Sequence, residues 1–205
     1  MKKVCRFLLS GMAIVLALSL AMPLVASAGM VKKVDNFIVL LDQSGSMVET
    51  YGDAGQNKFS QAVAAVGGFD KAVPELGYKG ATALFAPFKT ISSPSEYKKG
   101  SLGSAVKGLG LPFSHLTDMG DAFGKVDPLI ASLSGKTALI LFTDGESNVG
   151  SDPVGKAKSL YSKYSNNLCI HIVSYANTPH GQKTIDAIRA LSGCSVAADG
   201  KSLES

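Results

Sequence analysis

Histidine and cysteine, the side chains from which most catalytic centres and zinc cages are built, are scarce here, with three of each in 205 residues. His171 falls inside a strand-like run and reads as a packed core residue, which leaves His115 as the imidazole placed to complete a Ser44–His115–Asp144 set. The run Gly145-Glu146-Ser147-Asn148-Val149-Gly150 has one residue too many for the nucleophile elbow of a hydrolase. The loop at Asp42 also lacks the second aspartate of a haloacid-dehalogenase-type phosphatase. No enzyme is therefore expected. Lysine and arginine form no stripe or cluster, which argues against nucleic acid as a partner. Repeats and long linkers are absent too, so one domain is expected.

The first 28 residues read as a secretory signal rather than as part of the fold. Lys2, Lys3 and Arg6 make a positive start, Phe7 to Val25 is mostly apolar, and Ala26-Ser27-Ala28 is a small-residue cleavage site before Gly29. An uncleaved anchor is the alternative, because the apolar stretch approaches spanning length. Cleavage leaves 177 residues with 17 basic and 16 acidic side chains, nearly neutral and long enough for a full core. After cleavage no membrane span is expected, and the destination is the periplasm or the outside of a bacterial cell.

Strand-like apolar runs appear at Asn36–Leu41, Tyr78–Phe85, Thr137–Thr143, Leu168–Ser174 and Ser195–Ala198. Helical spacing fills the gaps. Phe59, Val63, Val66, Phe69 and Val73 form one stripe, and further helices are expected near Thr117–Leu133, Pro153–Tyr164 and Gln182–Leu191. Ser151-Asp152 caps the third and Ser192-Gly193 stops the last. The stretch from Ile91 to Leu111 is expected to hold a short helix near Tyr97–Leu109 and an edge strand. Ala138-Leu139-Ile140-Leu141-Phe142 shows no polar alternation, so both faces are buried. A doubly wound α/β fold follows, with a mostly parallel sheet and helices on both faces.

In such sheets ligands sit beyond the carboxyl ends of the strands, where strand order reverses. Asp42-Gln43-Ser44-Gly45-Ser46 leaves the first strand at that end, and Asp144 leaves the strand Thr137–Thr143 in the same way. Thr117 opens the helix just before that second strand. One carboxylate and two hydroxyls at alternate positions, joined by Thr117 and Asp144, suit a small hard cation that keeps some of its water. A plain serine-rich turn, with Thr117 as a helix cap, is the bland alternative. Glu146 and Asn148 lie on the same rim as candidate partner contacts, while Asp118 and Asp121 are expected to cap and charge their helix. Cys169 stands at the start of one strand and Cys194 just before the next, so a parallel βαβ unit brings them together as a disulfide, with buried thiols as the alternative.

With these residues in place, the chain resembles the von Willebrand factor type A (VWA) domain from about Val34 onward. The matching pattern is Asp-x-Ser-x-Ser (Asp42, Ser44, Ser46), a distant threonine (Thr117) and a strand ending in aspartate (Asp144). The resemblance implies a metal-ion-dependent adhesion site (MIDAS) in which Ser44, Ser46 and Thr117 contact the ion while Asp42 and Asp144 orient waters and hydroxyls. Mg²⁺ is the expected ion, with Mn²⁺ or Ca²⁺ as alternatives. Neutral hydroxyls leave cation charge uncompensated, so a partner protein's exposed Asp or Glu is the implied ligand. Val34-Asp35-Asn36-Phe37, Val73-Pro74-Glu75-Leu76-Gly77-Tyr78 and Cys169 look like bacterial envelope proteins that carry this domain before an OmpA-like domain. No OmpA-like domain is expected within these 205 residues, so cell-wall anchoring is not carried over. An envelope scaffold with a structural metal, or a metal-assisted or serine hydrolase, are the rival readings.

Overall fold

The structure is a computed structural model that describes residues 31–52, 55–112 and 116–203. The segment read as a secretory signal and His115 lie outside the described residues. All the elements named below belong to the unit Lys32–Ser205.

Six strands form one sheet among the described residues: β1 (Asn36–Asp42), β2 (Lys79–Phe85), β3 (Lys89–Glu96), β4 (Thr137–Thr143), β5 (Leu168–Ser174) and β6 (Ala197–Asp199), in the order β3-β2-β1-β4-β5-β6. All pairs are parallel except β2–β3. Every residue of β1 is buried. Phe37, Val39 and Leu41 face one layer, while Ile38 and Leu40 face the other, the period of two that a strand covered on both sides requires. Helices α1 (Lys58–Ala72) and α2 (Ser101–Val106) cover the first face. Helices α3 (Met119–Ala131), α4 (Pro153–Tyr164) and α5 (Pro179–Arg189) cover the second.

The doubly wound expectation is met, and the stretch from Ile91 to Leu111 yields both the short helix and the edge strand. Strand β3 pairs with shifts of register and carries Pro94, features an edge tolerates because one side of the strand makes no ladder. Asp152 caps α4 as expected, accepting from the Val154 and Gly155 amides.

Several boundaries differ from expectation. Helix α5 starts at Pro179, with Thr178 capping the Gly181 amide, and ends at Arg189 with Ala190 in the right-handed region, so Ser192-Gly193 is not its stop. A 3-10 contact from Leu191 to Ile188 closes it. Strand β6 begins two residues later than expected, although the Val196 carbonyl already accepts from the Ile172 amide at 2.8 Å. Helix α3 begins at Met119, which leaves Thr117 in the loop.

Cys169 and Cys194 are bridged, with a Cα–Cα distance of 5.8 Å, at the amino-terminal edge of the sheet. Among the described residues no helix is long and apolar enough to cross a membrane.

Candidate metal centre

Strands β1 and β4 are neighbours at the point where strand order reverses, so the loops that leave them open at one end of the sheet. Asp42 closes β1 with its side chain fully buried. Its Oδ1 accepts from the Ser44 amide at 2.9 Å and its Oδ2 from Thr143 Oγ1 at 2.6 Å. Thr143 Oγ1 in turn accepts from the Gly145 amide at 3.0 Å. The 3-10 turn Gly45–Val48 follows, pinned by the buried Met47. It brings Ser44 Oγ and Ser46 Oγ to 3.1 Å, two hydroxyls side by side rather than splayed along a strand.

The second and third loops are stitched to each other. The Thr117 amide donates to Asn148 Oδ1 at 2.8 Å, and the Thr117 carbonyl accepts from the amides of Asn148 and Val149 at 3.1 and 3.2 Å. Thr117 is held 2% exposed at the mouth of β4 rather than capping α3. Asp144, 1% exposed, receives the Glu146 amide on Oδ1 at 3.2 Å and Lys58 Nζ on Oδ2 at 2.9 Å. The close approach of the turn after it to the start of α5 needs glycine on both sides. A Cβ on Gly145, whose φ is +80°, would lie 2.3 Å from the Gly181 carbonyl oxygen, and one on Gly181 would lie 2.2 Å from that of Asp144.

These loops enclose a cleft of about 430 Å³ lined by Gly45, Ser46, Glu49, Thr117, Glu146, Asn148 and Thr178. Both predicted rim residues line it, but each is also committed to the scaffold. Asn148 holds the Thr117 loop, and Glu146 accepts from Thr178 Oγ1 and pairs with His180 Nδ1. Asp118 makes no cap hydrogen bond, and its Oδ2 pairs instead with Lys125 at 3.0 Å. Asp121 does sit in the first turn of α3, where it binds the amide and hydroxyl of Ser151. His171 is half-buried, and burial lowers its pKa. A separate cleft of about 390 Å³ runs between α5 and β6, lined by Tyr51, Ile185, Arg189 and Asp199, and the Asp42–Ser46 loop does not line it.

The electrostatics of these side chains are unfavourable by themselves in a specific way. Burial, and then the nearby Asp144 carboxylate, push the Asp42 pKa up to about 7 against the pull of the Thr143 and Ser44 hydrogen bonds. Two buried carboxylates therefore share one corner with a single ammonium, Lys58. A divalent cation would remove that repulsion. Among the described residues no group of three or more His, Cys, Asp or Glu could hold a metal ion. The available donors are two carboxylates and three hydroxyls, which fits a hard, water-retaining cation such as Mg²⁺ better than a zinc cage.

Sequence reasoning missed Lys58, Glu49, Thr143 and Asn177. Lys58 was the detectable one. It falls on the buried stripe of α1 with Ala62 and Ala65, and a lysine on a core-facing stripe requires a buried partner.

No family model matches the chain, and no curated protein matches its sequence. Solved structures do. An aerotolerance-related membrane protein from Bacteroides fragilis, bearing multiple mutations to serine, aligns over 82% of this chain and 94% of its own, with a TM-score of 0.63 at 16% identity. The SpRpn10 VWA domain aligns over 81% and 87%, with a TM-score of 0.57 at 16% identity. Proximal thread matrix protein 1 from the mussel byssus, solved with a zinc-occupied MIDAS motif, aligns over 82% of this chain with a TM-score of 0.62 at 17% identity. This chain spans 44% of that protein's length. Sheet order, the position of the Asp42–Ser46 loop and these alignments together show that the chain has the von Willebrand factor type A fold.

Proposed function

We propose that the domain binds a protein partner through a divalent cation held by Ser44, Ser46 and Thr117, with Asp42 and Asp144 orienting water and hydroxyls around it. The observation that carries this reading is the convergence of three loops from separate parts of the chain on one polar cleft, with two buried aspartates beneath it. The zinc-occupied MIDAS motif of the mussel protein adds support from a similar fold. The cation would supply an open coordination position of uncompensated positive charge, and an Asp or Glu of the partner fits it. This chain's own part is to fix the hydroxyls, tie up the lining carboxylates Glu49 and Glu146 on Lys58, Thr178 and His180, and shape the cleft. Mg²⁺ is the proposed ion, with Mn²⁺ or Ca²⁺ as substitutes. The proposal makes the protein a binding module rather than an enzyme. It places the protein in the bacterial envelope, exported by the signal-like segment at residues 1–28.

Calorimetric titration of Mg²⁺ and Mn²⁺ into chelator-treated protein, beside a Ser44→Ala/Thr117→Ala variant, tests the site. Saturable binding that the variant loses is expected. A wild type that takes up neither ion would overturn the reading and favour a scaffold that needs no metal.

A further inference from the structure

Lys58 is fully buried, yet its ammonium makes three short contacts: Asp144 Oδ2 at 2.9 Å, Glu49 Oε2 at 2.9 Å and Asn177 Oδ1 at 2.8 Å. An ammonium has three donors, and all three are used. The partners come from three loops, after β1, after β4 and after β5. The Lys58 amide also donates to the Glu49 carbonyl at 3.0 Å, so the helix start is fixed to the loop that carries Ser44 and Ser46. Burying a cation is costly unless it is fully paired. A hydrogen-bonding role alone could be met by a neutral side chain.

The charges explain the choice. With both carboxylates ionised, as in the metal-bound site, Asp42 and Asp144 carry two negative charges into the site, and Lys58 returns one. Glu49 is half-exposed, with 55% of its side chain open, so water screens it. The buried set therefore nets one negative charge, and a divalent cation would turn it to one positive. Without Lys58 the same cation would be neutralised by the two aspartates and would have little need of another anion. Asp144 Oδ2 is also held by the ammonium, which keeps that oxygen from becoming a direct anionic ligand.

We infer that Lys58 is a built-in countercharge that weakens the cleft's hold on its metal and, in exchange, makes the bound metal demand an anionic ligand from the partner. This rests on the metal-binding reading above. Lys58 is a specificity-determining residue in this view, and it acts through charge on Asp144 rather than by touching the partner.

The test uses Mn²⁺ alone and then acetate as a carboxylate probe, read by paramagnetic broadening of the acetate methyl line on the Mn²⁺-loaded protein. Lys58→Gln keeps a donor but removes the charge, and Lys58→Arg keeps the charge. In Lys58→Gln, Mn²⁺ should bind at least about tenfold more tightly, the scale of one unit charge at close range in a partly screened site. Acetate broadening per bound Mn²⁺ should fall several-fold, and Lys58→Arg should restore both readings toward wild type. A purely structural Lys58 predicts the opposite pattern, with both readings falling together in Lys58→Gln, and that result overturns the inference. If Lys58→Gln melts out in chelator, Lys58→Arg decides: both readings near wild type support the inference, and loss of both overturns it. A wild type that binds no Mn²⁺ overturns the metal reading itself, whereas Mn²⁺ binding that Lys58→Gln leaves unchanged overturns only the role of Lys58.

Discussion

Acidification should expel the metal long before it unfolds the protein, because Asp42 begins from a pKa near 7 in the metal-free cleft. At pH 8 about nine-tenths of Asp42 is ionised, and at pH 6 about one-tenth, so the apparent affinity for Mn²⁺ should drop about tenfold between them. A second tenfold should follow by about pH 5. Each ion bound at pH 6 should release close to one proton, measurable by titration in buffers of different ionisation enthalpy. The same group governs metal-free stability. Its folded pKa lies above the ordinary 3.8 of an unfolded aspartate, so the folded state holds the proton more tightly. That stability is fully present below about pH 4 and is lost as pH rises toward 7, with a slope of up to about 1.4 kcal/mol per pH unit. His171, whose pKa burial lowers, works the other way below pH 6.5. Comparison with Asp42→Asn isolates the aspartate, since that variant should lose the rise on acidification. Equal Mn²⁺ affinity at pH 8 and pH 6, with no proton release, would refute the reasoning.

Reducing the Cys169–Cys194 bridge, which closes 25 residues, should lower stability by about 3 kcal/mol on the loop-entropy estimate and the melting temperature by about 6–12 °C. An unchanged melt with two titratable thiols would count against it. Gly181→Ala should destabilise the fold by on the order of 1–3 kcal/mol and weaken metal binding, because its Cβ would be driven to 2.2 Å from the Asp144 carbonyl oxygen. Chemical denaturation and Mn²⁺ titration read the two effects, and a neutral result would show that the turn relaxes freely. Asn148→Ala should cost about 1 kcal/mol and several-fold in Mn²⁺ affinity by freeing the Thr117 amide. Stability lost with affinity kept would show that Thr117 does not need that clamp.

Uninterrupted apolar runs made β1 and β4 readable, because strands covered on both faces show no polar alternation. Asp42 and Asp144 could be placed beyond the carboxyl ends of two parallel strands from the alternation of strands and helices. That those strands are neighbours, and that Gly45, Ser46 and Thr117 line one cleft, came only with the structure. What stayed hidden depends on contacts between distant loops. Glu146 looks like a free rim carboxylate until Thr178 and His180 are seen against it. Thr143 looks like the last residue of a strand until its hydroxyl is found on Asp42. The stop of α5 was misplaced because Ser192-Gly193 carries the composition of a terminator, whereas local 3-10 bonding had already closed the helix.

The central place of β1 has a mechanical consequence. The strand runs from Asn36 at one pole to Asp42 beneath the cleft, with β2 registered along seven residues on one side and β4 along six on the other. A pull applied between the chain before Asn36 and a ligand seated in the cleft would travel along this strand and load both ladders in shear, many bonds at once. A pull through the carboxyl terminus would meet β6, which pairs at only three positions and can peel one bond at a time. Single-molecule extension should therefore give a higher rupture force for the amino-terminal attachment, and equal forces would rule out β1 as the load-bearing path.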